Sequence, residues 1–327
     1  MSISPQQTQS PTLDEKQPLD ALVQSFASAG GDVAVLLDPN TAKLVVHQNR
    51  ILRVHSVAGV RIEGAETSTG AEARIIVEPG VRLDRPVHLC FGVLPKEGLQ
   101  EIVSEFEIGE GAYVRFIAHC SFPAAERVKH VMDAKIRLEP GADMEYTETH
   151  YHGPWGGVEV LPVAKIYLAR GAIYRSVFKL TDGAAGRVHL DYEAFLDEAA
   201  VCELEAKVYG KARDHIYVKE SIYLNGRGAR GLAKTRIVAS DECTSEVVGE
   251  IVGAAPEARG HVDCVEILKG KRARASAIPR LVVQDERAKL THEAAIGSVD
   301  KKQVETLMAR GLDEEQAVEV VVKGLLR

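Results

Sequence analysis

The segments FEIGEGAYVRF (106–116), IRLEPGADMEY (136–146) and IYLARGAIYRS (166–176) are three copies of one pattern. Each joins an apolar strand end to two or three turn residues, then a Gly-Ala pair, then a new strand. The pairs begin at Gly111, Gly141 and Gly171, a spacing of 30 both times. Fainter copies flank them, at Gly80 in VEPGVRL, 31 residues earlier, and at Ala199 in LDEAAVCEL, 28 later. Glycine suits such a turn because it adopts positive φ without steric cost.

Between the turns the chain alternates, as in AYVRFIA, HLDYEAFL and HIYVKESIYL. That is the period of a strand with one face buried. From about Gly31 to Gly297 strand follows strand without a long helix. Many strands without helical crossovers usually make antiparallel sandwiches or barrels. A fixed period favours a solenoid instead, because stacked coils give every strand a parallel neighbour one repeat away. The expected fold is therefore all-β, a parallel β-helix over 31–297.

The ends differ from the middle. Residues 1–30 read as a polar, disordered lead-in followed by a short helix, LDALVQSFASAGG (19–31). The lead-in has no apolar core of a signal peptide. Residues 298–327 read as a helical C-terminal segment of two helices. Gly311 stops the first, and Asp313 with Gln316 makes a capping box for the second. Ala317, Val318, Val321 and Leu325 then form an apolar stripe. It serves either to dock the tail on the solenoid's own end or to receive a partner.

Composition removes several functions. With 40 basic and 47 acidic residues the charge is -7, which argues against nucleic acid as the main partner. No apolar run approaches the roughly 18 residues of a membrane-spanning helix. The five cysteines are odd in number and widely spaced, which argues against a disulfide framework or zinc ribbon. Free thiols without a signal peptide point to the cytoplasm. The sequence holds no P-loop lysine, GxSxG or HExxH, so ATP hydrolysis belongs elsewhere. A β-helical carbohydrate-active enzyme is a remote alternative, disfavoured by 5% aromatics and a single tryptophan.

Two constellations carry chemistry. In AKLTHEAAIG (288–297), His292 and Glu293 sit side by side, and Cys264 lies 28 residues before His292. One coil apart in sequence is about 4.8 Å apart in space. A thiolate, an imidazole and a carboxylate would then share one metal or sulfur site. The plain alternative is a core cysteine beside a solvated His-Glu edge. By the same arithmetic Cys90, Cys120 and His150 form a column spaced by 30. Such a column is a core ladder, or an auxiliary sulfur site at Cys120 and His150.

The tail carries His292-Glu293-Ala294, Gln303, Arg310-Gly311-Leu312, Glu314-Glu315 and Ala317. This resembles the C-terminal signature of the SufB/SufD family of iron–sulfur cluster assembly. GHVDCVEILKG (260–270) resembles its cysteine-bearing strand, and HCSFPAAERVKH (119–130) a further family segment. The resemblance implies a right-handed parallel β-helix that acts as a non-enzymatic scaffold and builds a transient iron–sulfur cluster. It implies a SufC-like ABC ATPase as partner, docking through Gln303, Leu307, Arg310, Gly311, Leu312 and Ala317. It also implies a sulfur donor, and either a homodimer or a paralogous SufD-like subunit. Cys264 and Glu293 match the family's functional residues and His292 its neighbouring histidine, with the thiol activated by that histidine or by iron. A SufD-like platform without a cluster is the alternative. Departures lie at Val304-Glu305, Leu325 and His150-Tyr151-His152, and they suggest a minimal form.

Overall fold

The computed structural model describes residues 22–24, 27 and 31–327. Residues 22–24 and 27 are helical. The rest of the expected lead-in and first helix lies outside the described residues. A short helix α1 (Val33–Leu37) then leads into the strands.

Two hairpins begin the strand region. They are β1 (Lys43–His47) with β2 (Arg50–His55), and β3 (Val60–Glu66) with β4 (Gly70–Val77). After them the chain alternates between two sheets. Sheet A takes β5 (Val87–Gly92), β7 (Tyr113–Phe122), β9 (Asp143–His152) and β11 (Ile173–Asp182). It continues with β13 (Val201–Gly210), β15 (Arg230–Ser240), β17 (Arg259–Lys269) and β19 (Lys289–Ser298). Sheet B takes β6 (Glu97–Ile108), β8 (Arg127–Leu138), β10 (Val158–Leu168) and β12 (Arg187–Leu196). It ends with β14 (His215–Leu224), β16 (Thr244–Gly253) and β18 (Arg274–Val283). From β5 onward every pairing is parallel, odd with odd and even with even. The expected parallel β-helix is the observed fold.

The repeat that discloses the fold is a column of turns. Gly80, Gly111, Gly141, Gly171, Ala199, Gly228 and Glu257 all have positive φ. Each of the first six donates its N–H to the carbonyl preceding the next turn residue, as in Gly111 to Pro140 and Ala199 to Arg227. An added Cβ would meet nothing at Gly111, Gly141 or Gly171, so the glycine answers to φ alone. Ala199, at φ 56°, bears the strain of an L-residue there. Ala199→Gly is accordingly expected to raise stability by about 1 kcal/mol, read as a higher urea midpoint.

The coil length is not constant. Asp143 pairs with Ile173, thirty residues on. Ile173 pairs with Val201, twenty-eight on. The following coils take twenty-nine, and Arg259 pairs with Lys289, thirty on. Inward side chains from both sheets fill one continuous apolar core, from Leu44 to Ala288.

The two ends of the stack are finished differently. At the N-terminal end the edge strands β2 and β3 carry charged residues, with Arg50 paired to Glu66 at 3.3 Å. Charges on an edge discourage further strand pairing. At the other end β18 and β19 are the edges. Ile278, Val283 and Ile296 there are 47%, 53% and 43% exposed, so the last coil is open. Pro279 removes one donor from the β18 edge. The β19 edge contains no proline.

The tail does not cap that end. Helix α2 (Lys301–Met308) and helix α3 (Glu314–Leu325) fold back along the flank of sheet A. Val322 and Leu326, with Val318 and Leu325, pack on Tyr209, Val238 and Ile267 of β13, β15 and β17. The capping box at Asp313 and Gln316 is present as the sequence indicates. Docking on the solenoid's own end is thus corrected to docking on its side. Outward apolar residues of three successive coils, Tyr209, Val238 and Ile267, supply the dry surface there. Among the described residues no helix is long and apolar enough to cross a membrane.

Candidate functional site

The C-terminal edge separates the residues that the spacing drew together. Because the last coil is thirty residues long, His292 lies opposite Val262, and Cys264 lies opposite Ala294. Glu293 lies opposite Asp263, whose side faces outward, while Cys264 is on the inner face and 2% exposed. His292 shares the inner face two residues along the strand, and both His292 and Glu293 are exposed. Within one chain these three do not converge. The arithmetic failed because the coil grows from twenty-eight to thirty residues between β11 and β19.

The surroundings of Cys264 are also unlike the activated thiol expected. Burial pushes it up to about 12, the negative charge of Glu266 adds to this, and Arg236 opposes it. Glu266, 1% exposed on the same strand, accepts a hydrogen bond from the Ser245 hydroxyl. Burial raises that carboxyl to about 7. In the isolated chain Cys264 is a protonated core thiol.

The tail residues divide by exposure. Gln303, Arg310 and Gly311 are exposed, and Leu307 and Leu312 are half-buried. Ala317 is fully buried, so it holds α3 in place and presents no surface. Between the tail and the sheet runs a groove of about 1000 Å³, lined by Ile267, Ile296, Gln303, Leu307, Val321 and Leu325.

The second constellation is the one that closes. Cys120 pairs in register with His150. Cys90 leaves the column: it pairs with His119 and faces outward, packed with Leu22, Leu36 and Val45. Phe91 takes the level of Cys120 instead, because this coil is one residue shorter than thirty. Glu148 completes the group that sequence spacing missed. Its ligand atoms and those of Cys120 and His150 all lie within 4.8 Å of one another, and all three residues are buried. The signal was present in EYTETHYH, where strand alternation puts 148, 150 and 152 on one face.

A directed chain of hydrogen bonds runs through this cluster. The Ala184 carbonyl can only accept, so His152 Nδ1 donates to it at 3.0 Å. The neutral His152 then accepts at Nε2, 3.4 Å from His150 Nδ1. That leaves His150 Nε2 with a lone pair facing Glu148 Oε1 at 2.6 Å, so the Glu148 carboxyl donates. Burial favours this uncharged arrangement, pushing Glu148 up to about 7 and His150 and His152 down to about 3. His130, from the opposing sheet, has its ring 6.0 Å from that of His150. Phe122 and Phe178 close the cluster, with ring centroids 6.2 and 4.9 Å from His150.

Fold and site together define a class: a parallel β-solenoid with an open terminal coil, a helical tail on its flank and a cysteine–histidine–carboxylate cluster inside. Residues 90–325 match the family model for the SufBD core domain of SUF-system FeS cluster assembly. The chain belongs to the SufBD family of iron–sulfur cluster assembly proteins. It is 39% identical to an iron-sulfur cluster assembly SufBD family protein of Methanocaldococcus jannaschii, over 95% of this chain and 98% of that one. A relative of the same description from Pyrococcus horikoshii is 36% identical, over 94% of this chain and 93% of its own. A second P. horikoshii protein is 28% identical, over 77% of this chain and 56% of the relative.

Proposed function

We propose that this chain is a scaffold on which an iron–sulfur cluster is assembled as cargo, at the β19 edge beside β17. The observation that carries the reading is the open last coil. An unpaired strand bearing His292 and Glu293 lies beside the strand of Cys264, at the end of the stack where Ile278, Val283 and Ile296 are exposed. One chain offers too few converging ligands, so a second copy, or a paralogous SufD-like subunit, supplies the rest across that edge. Exposed apolar Ile278, Val283 and Ile296 favour such a contact. A carboxylate oxygen beside thiolate is a weak ligand for iron, which suits a cluster that must leave.

The tail would receive a SufC-like ABC ATPase through Gln303, Arg310 and Gly311, with Leu307 lining the groove and Leu312 half-buried between the two helices. Because α3 packs on β13, β15 and β17, a force on the tail reaches the strand of Cys264 directly. ATP binding by that partner would shift the edge between a closed and an open state, provided the partner binds the two states differently. A sulfur donor would deliver to the solenoid, and neither nucleic acid nor membrane enters the scheme. The burial of Cys264 favours one second reading, a SufD-like platform that binds the ATPase without a cluster.

Anaerobic reconstitution with iron and sulfide, with and without the ATPase, separates the two. Visible absorption and iron per chain are compared for wild type, Cys264→Ala and Glu293→Ala. The scaffold reading expects a labile cluster in wild type and at least a tenfold loss of bound iron in both variants. Equal behaviour of all three would leave the platform.

A further inference from the structure

We infer that the interior of the solenoid holds a second metal site, distinct from the C-terminal edge. Cys120, Glu148 and His150 take one divalent transition-metal ion of the zinc or ferrous class, with His130 as fourth ligand. Three observations carry this. The thiol, carboxyl and imidazole donor atoms already lie within 4.8 Å of one another. Tetrahedral ligands at about 2.0–2.3 Å from an ion stand roughly 3.3–3.8 Å apart, so closure needs only small rotations.

The second observation is the tautomer. The Ala184 carbonyl fixes His152, and His152 fixes His150, so that the Nε2 lone pair is aimed at Glu148 before any ion arrives. Metal-bound histidines are oriented by such a partner on the other ring nitrogen. The third is His130. It is 0% exposed, neither ring nitrogen has a hydrogen-bond partner among the described residues, and its ring centroid lies 6.0 Å from that of His150, so a side-chain rotation is what brings a nitrogen to the three-residue group. A buried imidazole with both nitrogens unsatisfied costs free energy that ligation to a metal removes.

Charge agrees with the chemistry. A thiolate and a carboxylate balance a divalent cation, so the loaded site is neutral inside an apolar core. Mixed sulfur, nitrogen and oxygen donors select zinc-class ions over magnesium or calcium. The site is closed by Phe122 and Phe178, which marks it as structural or storage in type, with no open position for a substrate. The Ala184 turn that fixes His152 also lines a surface groove with Trp155 and Asp214.

The test uses the full chain, purified under reducing conditions, stripped with a chelator and titrated with Co²⁺ and then Zn²⁺. Wild type is expected to take one ion per chain, with thiolate-to-cobalt charge-transfer absorption. The double variant Cys264→Ala, Glu293→Ala is expected to bind it unchanged. Cys120→Ser removes the charge-transfer band, and Glu148→Gln or His150→Gln weakens binding about a hundredfold in chelator competition. X-ray absorption of the loaded wild type, which needs no variant to fold, is expected to show one sulfur among nitrogen and oxygen ligands. No bound ion, no sulfur ligand, or loss of the ion in the Cys264 variant would overturn the assignment. A chain that fails to assemble clusters at the edge yet still binds this ion leaves the inference intact.

Discussion

Phe116→Ala is expected to lower the stability of the chain by about 3–5 kcal/mol, the range for truncating a buried phenylalanine. Phe116 is 1% exposed on the inner face of β7. It meets Phe106 of the opposing sheet edge-to-face at 5.2 Å and Tyr146 of the next coil at 6.3 Å. Truncation therefore removes its own transfer free energy and two aromatic contacts, and leaves a void that neighbours on fixed strands cannot fill. Strands cannot slide inward, because each is hydrogen-bonded to the coils on both sides. Equilibrium urea unfolding tests this, expecting a lower midpoint with an unchanged slope. An unshifted midpoint would mean that the coils repack around the loss. A reduced slope would mean that the stack had split into two separately unfolding segments.

Gly183→Ala is expected to be of similar size, at least about 3 kcal/mol, through the backbone instead of the core. Gly183 has φ 83°, and a Cβ placed there would lie 1.7 Å from the carbonyl oxygen of His152. That oxygen belongs to the end of β9 and has no flexible side chain to yield, so one turn must leave the other. Since Ala184 fixes the His152 tautomer, the displacement also unlocks the histidine chain. The same urea experiment reads the stability. Nitrogen-15 spectra of the histidine rings read the tautomers, with loss of the single Nδ1–H form of His152 expected. By contrast, Gly111→Ala, where a Cβ meets nothing, is expected to cost only about 1–2 kcal/mol.

How much of this was legible in the sequence follows from what sets each feature. The fold was legible because the turn column must adopt positive φ once per coil, and glycine marks that need at 111, 141 and 171. Gly228 and Glu257 continue the column, but Glu257 has no residue type to betray it. Tail architecture was legible too, since capping is local chemistry written at Asp313 and Gln316. Columns across coils were less so. They depend on the sum of turn lengths, and one residue gained or lost shifts every later side chain to the other face. One residue displaced Cys90 from Cys120, and two displaced His292 from Cys264. Glu148 was within reach through strand alternation. His130 ends the family-like segment 119–130, yet its nearness to His150 was not legible, because that is set by how the two sheets face each other.

The two ends of the stack bear on the size any assembly can reach. A solenoid open at both ends could add copies head to tail, each exposing a fresh edge, and so grow into a filament. Here the N-terminal edges β2 and β3 carry the Arg50–Glu66 pair, whereas among the described residues the C-terminal edges expose more large apolar side chains, Ile278, Val283 and Ile296. Two such edges that meet about a twofold axis consume each other. The association then has point-group closure and stops at two, leaving both guarded ends facing outward.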